Sequence, residues 1–253
     1  MGGFKDHFSG HAAKYAQFRP HYPSGLFACL ASLVSSRELA WDAATGNGQG
    51  ALDLAPYFQR VVGSDASRAQ IENAIPHSKV CYRIEPAEAT QFATASVDLI
   101  SVAQALHWLD LPKFYAEVKR VLKAEGVIAV WCYNLFRAAP AIDNIILRFY
   151  HDLVGPHWPP ERAHIETGYR HLEFPFAEIN APLFVMEVEW DMHELLGYLG
   201  TWSATQRYIK AEGHDPRWHI AGRLESVWGS PQNKRRIQWP LYLKVGKQPC
   251  SAA

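Results

Sequence analysis

The stretch Leu39–Gly50, LAWDAATGNGQG, decides how the rest of the chain is read. A short apolar run (Leu39, Ala40, Trp41) leads into Asp42 and then into Gly46, Gly48 and Gly50, and the ALDLAPYF that follows has a helical pattern. Strand, glycine turn, helix is the implied order. Such a turn lets the backbone approach a ligand with no Cβ in the way, and it aims free helix N–H groups at the ligand's polar end. A second apolar pair, Val61 and Val62, ends in Gly63-Ser64-Asp65, so Asp65 stands nineteen residues after Gly46. At that offset an acidic side chain can accept both hydroxyls of a ribose. The pair of features points to a nucleoside-containing cofactor.

The glycine spacing narrows the cofactor. A dinucleotide site uses G-x-G-x-x-G to seat a pyrophosphate on the helix N-terminus, whereas here Asp42-x-Ala44-x-Gly46-x-Gly48 puts a carboxylate just before the turn. That carboxylate would repel a pyrophosphate and suits the ammonium group of an amino-acid tail. On these residues the chain resembles the class I S-adenosylmethionine-dependent methyltransferases, whose pattern is acidic-x-Gly-x-Gly-x-Gly, with Ala44 standing where they carry the first glycine. The resemblance implies a doubly wound, Rossmann-like α/β fold: a seven-stranded, mostly parallel sheet with helices on both faces. It also implies S-adenosylmethionine as cofactor.

Composition sets the outer limits. The 253 residues are 48% hydrophobic and 20% charged, enough for one large α/β domain or one domain with a small cap. Lys plus Arg and Asp plus Glu balance at 25 each, which predicts no nucleic-acid partner and favours a small molecule as the methyl acceptor. The four cysteines, Cys29, Cys81, Cys132 and Cys250, form no C-x-x-C pair, so neither a zinc site nor a disulfide framework is expected, and a reducing, cytoplasmic setting follows. The N-terminus has no apolar signal core, and no window approaches a membrane span.

Taken in order, residues 4–22 mix aromatic with basic side chains, and the helix they suggest should end at Arg19-Pro20. The segment reads either as a helix packed on the domain edge or, by the resemblance, as a cover for the cofactor with Tyr15 and Arg19 reaching the methionine carboxylate. YPSGLFACLASLV reads as a helix, SRAQIENAI as a short one, and Val80–Ile84 as a third strand. Val97–Val102 is a near-continuous apolar run of the kind buried on both faces of a sheet, and it leads straight into Ala103-Gln104-Ala105-Leu106-His107-Trp108. Strand ends in open α/β sheets are where ligands bind. The resemblance therefore assigns cofactor contacts to Asp42, Ala44, Gly46, Asn47 and Gly48 on the turn, to Asp65 and Ala66 after the second strand, to Ala87 and Glu88 after the third, and to Ala103 and Gln104 after the fourth. His107 is the candidate general base, and His107, Trp108 and Trp202 are the candidate acceptor contacts. In the helix, turn and fifth strand that follow (Val127–Trp131), Gly126 is expected to be the left-handed turn residue.

Beyond Asn134 the texture changes to Pro, His and aromatics. Segments 135–180 and 191–230 read as a helical substrate cap around the strand LFVMEVEW, and RRIQWPLYLKV reads as a closing strand, all within a single domain. His151, His157, His164, His214 and His219 lack the i, i+4 pairing and the Cys companions of common metal sites, so no metal is expected. AQALHWLD, Trp202-Ser203-Ala204 and Trp239-Pro240 are similar to the small-molecule branch that includes trans-aconitate methyltransferases. What that implies is methyl transfer to an oxygen of a small carboxylic acid, for which Arg137, Arg207 and Arg217 in the cap segments are candidate partners. A nicotinamide-dependent oxidoreductase and a non-catalytic S-adenosylmethionine-binding protein stand as alternatives.

Overall fold

The computed structural model describes residues 18–248. Strands β1 (Leu39–Ala43), β2 (Arg60–Asp65), β3 (Val80–Ile84), β4 (Val97–Ala103) and β5 (Leu122–Tyr133) are parallel neighbours in the order β3-β2-β1-β4-β5. Parallel strands need crossover connections, and α1 (Ser24–Ser32), α2 (Gln49–Leu54), α3 (Arg68–Glu72) and α4 (Leu111–Val121) occupy the sequence before and between them. Both faces of the sheet are covered. Val127, Ala129 and Trp131 of β5 join one apolar core with Leu26, Leu30 and Leu54 of α1 and α2, while Ile128 and Val130 join the other with Phe114 and Val118 of α4. The alternation has a period of two, the signature of a strand buried on both sides.

The last strand explains the sheet's second half. β8 (Arg235–Lys247) runs antiparallel to β5 from Leu241 onward, while its first half, through Pro240, pairs with β7 (Val185–Trp190). Pro240 stands at the hand-over between partners, where a strand tolerates a missing N–H. A three-residue strand, β6 (Ala177–Ile179), pairs with the far side of β8, so one short strand joins the seven expected from the sequence.

Helices α5 (Pro140–Arg148), α7 (Met192–Gly200), α8 (Ser203–Glu212) and α9 (Trp218–Trp228) bury Ile142, Leu195, Tyr198, Ala204 and Leu224 in the first of the two cores. The short α6 (Arg162–Glu166) sends Ile165 into the second. Gly126 corrects an expectation. It is not among the residues with positive φ, and a side chain is excluded there for a different reason: a Cβ would lie 2.8 Å from Leu122 and 3.0 Å from the Lys123 carbonyl. The pairing register of β5 shifts across this point, between Leu122 and Val127, and packs the chain against itself. No helix among the described residues is long and apolar enough to cross a membrane.

Candidate active site

A cleft of about 740 Å³ opens along the carboxyl ends of β1, β2 and β4, and it receives most of the residues singled out by sequence. Asp42, the penultimate residue of β1, is 1% exposed; its carboxylate accepts hydrogen bonds from the Ser101 hydroxyl at 2.6 Å and from the Thr45 hydroxyl. Burial pushes its pKa up from an ordinary 3.8 to about 6, against the lowering effect of those two hydroxyls. The turn that follows reaches left-handed φ at Ala44 (53°), Gly46 (58°) and Gly48 (90°). Ala44, Gly46 and Asn47 line the cleft. Gly48 is not among its lining residues: a Cβ there would meet the Tyr82 ring carbons at 2.7 Å, so this glycine serves the packing of β3 on the turn.

Asp65 ends β2 facing the same cleft as its neighbour Ala66. Its two oxygens accept from the Gly46 amide at 2.9 Å and the Ser67 amide at 2.8 Å, which locks the glycine turn to the acidic strand end. Ala87 and Glu88 form the next part of the wall, and Glu88 accepts from the Asp110 amide at 3.0 Å. Ala103 and Gln104 follow at the end of β4. Gln104 has φ 56°, and its side-chain amide is committed to the Tyr133 backbone, donating to the carbonyl and accepting from the N–H at 3.0 Å each. It thus adds a side-chain rung between β4 and β5, and a strained residue is held at the rim of the cleft.

A second, smaller recess of about 70 Å³ adjoins the cleft, and Gln104, His107 and Trp108 belong to both. Trp202 lines the recess together with Tyr133, Trp158 and Tyr198. Arg19, expected on the cofactor's tail, also lines the recess; its Nη1 donates to the Tyr133 hydroxyl at 2.9 Å and its guanidinium lies 5.3 Å over the Tyr198 ring. Tyr15 lies outside the described residues. Arg162, which sequence reasoning passed over, is the recess's other cation. It donates from Nε to the Tyr150 hydroxyl at 2.8 Å and from Nη2 to Asn134 Oδ1 at 2.7 Å, and it stacks 4.6 Å over Trp158. The signal for it was the W-P-P-E-R run, in which two prolines stiffen the chain just before the arginine. The arginines favoured by sequence stand elsewhere: Arg217 is forked onto Asp215, Arg137 is exposed, and neither these nor Arg207 line the recess.

His107 sits where the two cavities meet. Burial, with the nearby Arg162 charge adding to it, pushes its pKa down to about 3, so the ring is neutral at physiological pH. Its Nδ1 lies 2.8 Å from the Tyr169 hydroxyl. Complete burial holds that phenol far above its usual pKa, and Nδ1 is the acceptor in reach of its proton. In the tautomer in which the phenol donates to Nδ1, the ring's own proton rests on Nε2 and can be donated to a ligand; the lowered pKa makes His107 a poor base.

The chain is 32% identical over 252 residues to a Dictyostelium discoideum protein named as a methyltransferase, covering 97% of this chain and 96% of that one. The chain belongs to the S-adenosylmethionine-dependent methyltransferases. Residues 41–130 match the family described as methyltransferase domain, which spans β1 to β5 and the glycine turn. The solved structure of an Anaeromyxobacter dehalogenans protein named as a type II methyltransferase superposes with a TM-score of 0.87 at 44% identity, over 92% of this chain and 99% of that one. A Saccharomyces cerevisiae protein named as an S-adenosylmethionine-dependent methyltransferase is 28% identical over 131 residues, 48% of this chain and 45% of that one. The methyltransferase therefore uses S-adenosylmethionine, and the nicotinamide alternative falls. The cleft fits that cofactor: acidic groups stand at the glycine turn and at the end of β2, and the turn leaves its backbone uncovered.

Proposed function

We propose that this methyltransferase transfers a methyl group to an oxygen of a small carboxylic acid, as in the branch that includes trans-aconitate methyltransferases. In this reading Asp65 takes the ribose hydroxyls, Ala87 and Glu88 border the adenine, and Asp42 supplies negative potential beneath the amino-acid tail. Ala44, Gly46, Asn47, Ala66, Ala103 and Gln104 form the backbone cradle. Tyr15 and Arg19 border the tail from the N-terminal side, with Arg19 between tail and acceptor. Segments 135–180 and 191–230 act as the cap that closes over the acceptor, within one domain working in the cytoplasm. The balanced charge of the chain suits a small acceptor rather than a nucleic acid.

One observation carries the choice of acceptor. Among the described residues, the recess beside His107 is lined by two arginines and by no aspartate or glutamate, and the histidine at its mouth is neutral, with Nδ1 beside the Tyr169 hydroxyl. A hydroxyl or amine acceptor would have to lose a proton during transfer, and the recess offers no strong base to take it. A carboxylate is already an anion at neutral pH. S-adenosylmethionine supplies an electrophilic methyl carbon on a cationic sulfur. The acceptor oxygen bonds to that carbon as the carbon–sulfur bond breaks, the electron pair stays on sulfur, and no proton moves. The chain's part is alignment and exclusion of water: Trp108, Trp158 and Trp202 wall the recess, and His107 Nε2–H donates to the acceptor. The test is the pH dependence of turnover at saturating cofactor. The proposal expects a flat rate from about pH 6.5 to 9, with His107→Ala lowering its level but not its shape. A rate rising through a group near neutrality, lost in His107→Ala, would overturn it.

A further inference from the structure

We propose that Arg162 is the specificity-determining residue of the acceptor site, selecting acceptors that carry an anionic, planar group over their neutral counterparts. The inference rests on the recess being the acceptor site and deepens that reading by naming the side chain that recognises the substrate class. Three features carry it.

First, Arg162 is a half-buried cation whose hydrogen-bond partners are neutral: the Tyr150 phenol and the Asn134 amide oxygen. Among the described residues no carboxylate lies within ion-pair distance of it, and the acid next along its hydrogen bonds, Glu166, is reached only through the Tyr150 hydroxyl at 2.7 Å. Contrast Arg217, which is forked onto Asp215, and Arg120, which is paired with Glu117. A guanidinium removed from water without a counter-anion carries a desolvation cost that an incoming anion offsets.

Second, the group is held in place. Nε and Nη2 are each committed to a protein acceptor, and the plane is packed over Trp158 at 4.6 Å and Tyr150 at 5.4 Å. Neither of these hydrogen bonds uses Nη1. A fork fixed in this way loses little side-chain freedom when a carboxylate binds, and a lysine could not reproduce both anchors at once.

Third, its position is the productive one. Arg162 lines the recess while its neighbour Glu161 lines the cofactor cleft, so the turn Trp158–Arg162 borders both cavities beside His107. An anion drawn to Arg162 is brought next to the place where the two cavities join.

The experiment measures binding of benzoate and of its neutral isostere benzamide, together with acetate, succinate and phenylacetate, to the full chain saturated with S-adenosylhomocysteine, by titration calorimetry. Charge-assisted hydrogen bonds of this kind correspond to about a ten- to hundredfold preference. We expect benzoate to bind wild type by that margin over benzamide, Arg162→Gln to lose the preference, and Arg162→Lys to keep part of it, all three binding S-adenosylhomocysteine alike. Equal binding of benzoate and benzamide to wild type, failure of every carboxylate tested to bind, or an unchanged preference in a folded Arg162→Gln would overturn the proposal. If Arg162→Gln does not fold, Arg162→Lys takes its place, and a full wild-type preference for benzoate in that variant would overturn the proposal. The two readings fail separately: acids methylated with unchanged KM in Arg162→Gln would remove Arg162 and leave the carboxyl reading, whereas methylated amines as sole products would remove the carboxyl reading whatever the binding preference.

Discussion

Ala44 shows how a single departure from a family pattern is accommodated. It stands where the resemblance placed a glycine and keeps the left-handed backbone that the turn requires, with φ 53°. A Cβ in that region costs roughly 1–2 kcal/mol, part of which glycine returns as greater freedom of the unfolded chain. Ala44→Gly should therefore stabilise the protein by up to about 1 kcal/mol, a rise of about 1–3 °C in Tm by calorimetry, with S-adenosylhomocysteine affinity kept; a lower Tm would mean the turn is not strained. Asp42 makes the opposite kind of residue. Its folded pKa is raised from 3.8 to about 6, so the folded protein holds that proton more tightly than the unfolded chain. The associated stability is full below about pH 3.8 and is lost as pH rises through about 6, to a total of about 3 kcal/mol as an upper bound. Asp53, also raised to about 6, adds a slope of the same sign. Asp42→Asn should then leave the ligand-free protein as stable or more so at pH 7.5. If Asp42 holds the proposed place beneath the cofactor's ammonium, the variant should also weaken cofactor binding about tenfold or more, and wild-type affinity should itself fall as pH drops below 6. Unchanged affinity in the variant would remove Asp42 from the site. That the turn residues Asp42, Ala44, Gly46 and Asn47 share one cleft with Asp65 was legible because their spacing is fixed by local backbone geometry. The place of Arg162 in the recess was not, because which of several cap arginines turns inward depends on Tyr150, Asn134 and Trp158, brought together only by the fold.

At the level of elements, the edge strand Val80–Ile84, which has no buried residue, stands as expected, and the continuous apolar run Val97–Val102 was readable nearly to the residue as β4, Val97–Ala103. Burial on both faces leaves a strand no other composition. β6 was invisible because three residues, two of them exposed, carry no period, and it pairs only because β8 offers a free side. Gly126 was misread for a related reason: sequence marks where a side chain is excluded but not whether conformation or contact excludes it. The N-terminal segment, whose residues before Phe18 lie outside the described ones, meets the cofactor cleft as well as placing Arg19 in the recess. Gln49 at the start of α2 donates to the Pro20 carbonyl at 3.1 Å, and Tyr22 lines the cleft while packing on Trp131 at a centroid distance of 5.4 Å. Cofactor in the cleft should therefore tighten this segment. Hydrogen exchange at residues 18–22 is expected to slow several-fold when S-adenosylhomocysteine is added; unchanged exchange would make the segment edge packing alone.

For the whole molecule, the sheet places two cavities of different chemistry side by side. The larger has acidic stations suited to a cofactor with ammonium and ribose groups, and the smaller is cationic and aromatic. In the proposed arrangement a cationic recess faces a cationic sulfonium, which favours an acceptor that brings negative charge, since transfer to an anion cancels charge at both ends. Sequence reasoning reached the fold and the larger cavity, while the character of the smaller one emerged only from segments distant in the chain, Arg19 with Tyr133 and Arg162 with Asn134. The most direct measurement of the bond that is made is to react the protein with methyl-labelled S-adenosylmethionine and pooled small acids, phenols and amines, then treat the products with alkali. Label released as volatile methanol, the mark of a methyl ester, is the predicted result; label retained wholly in alkali-stable products would contradict it.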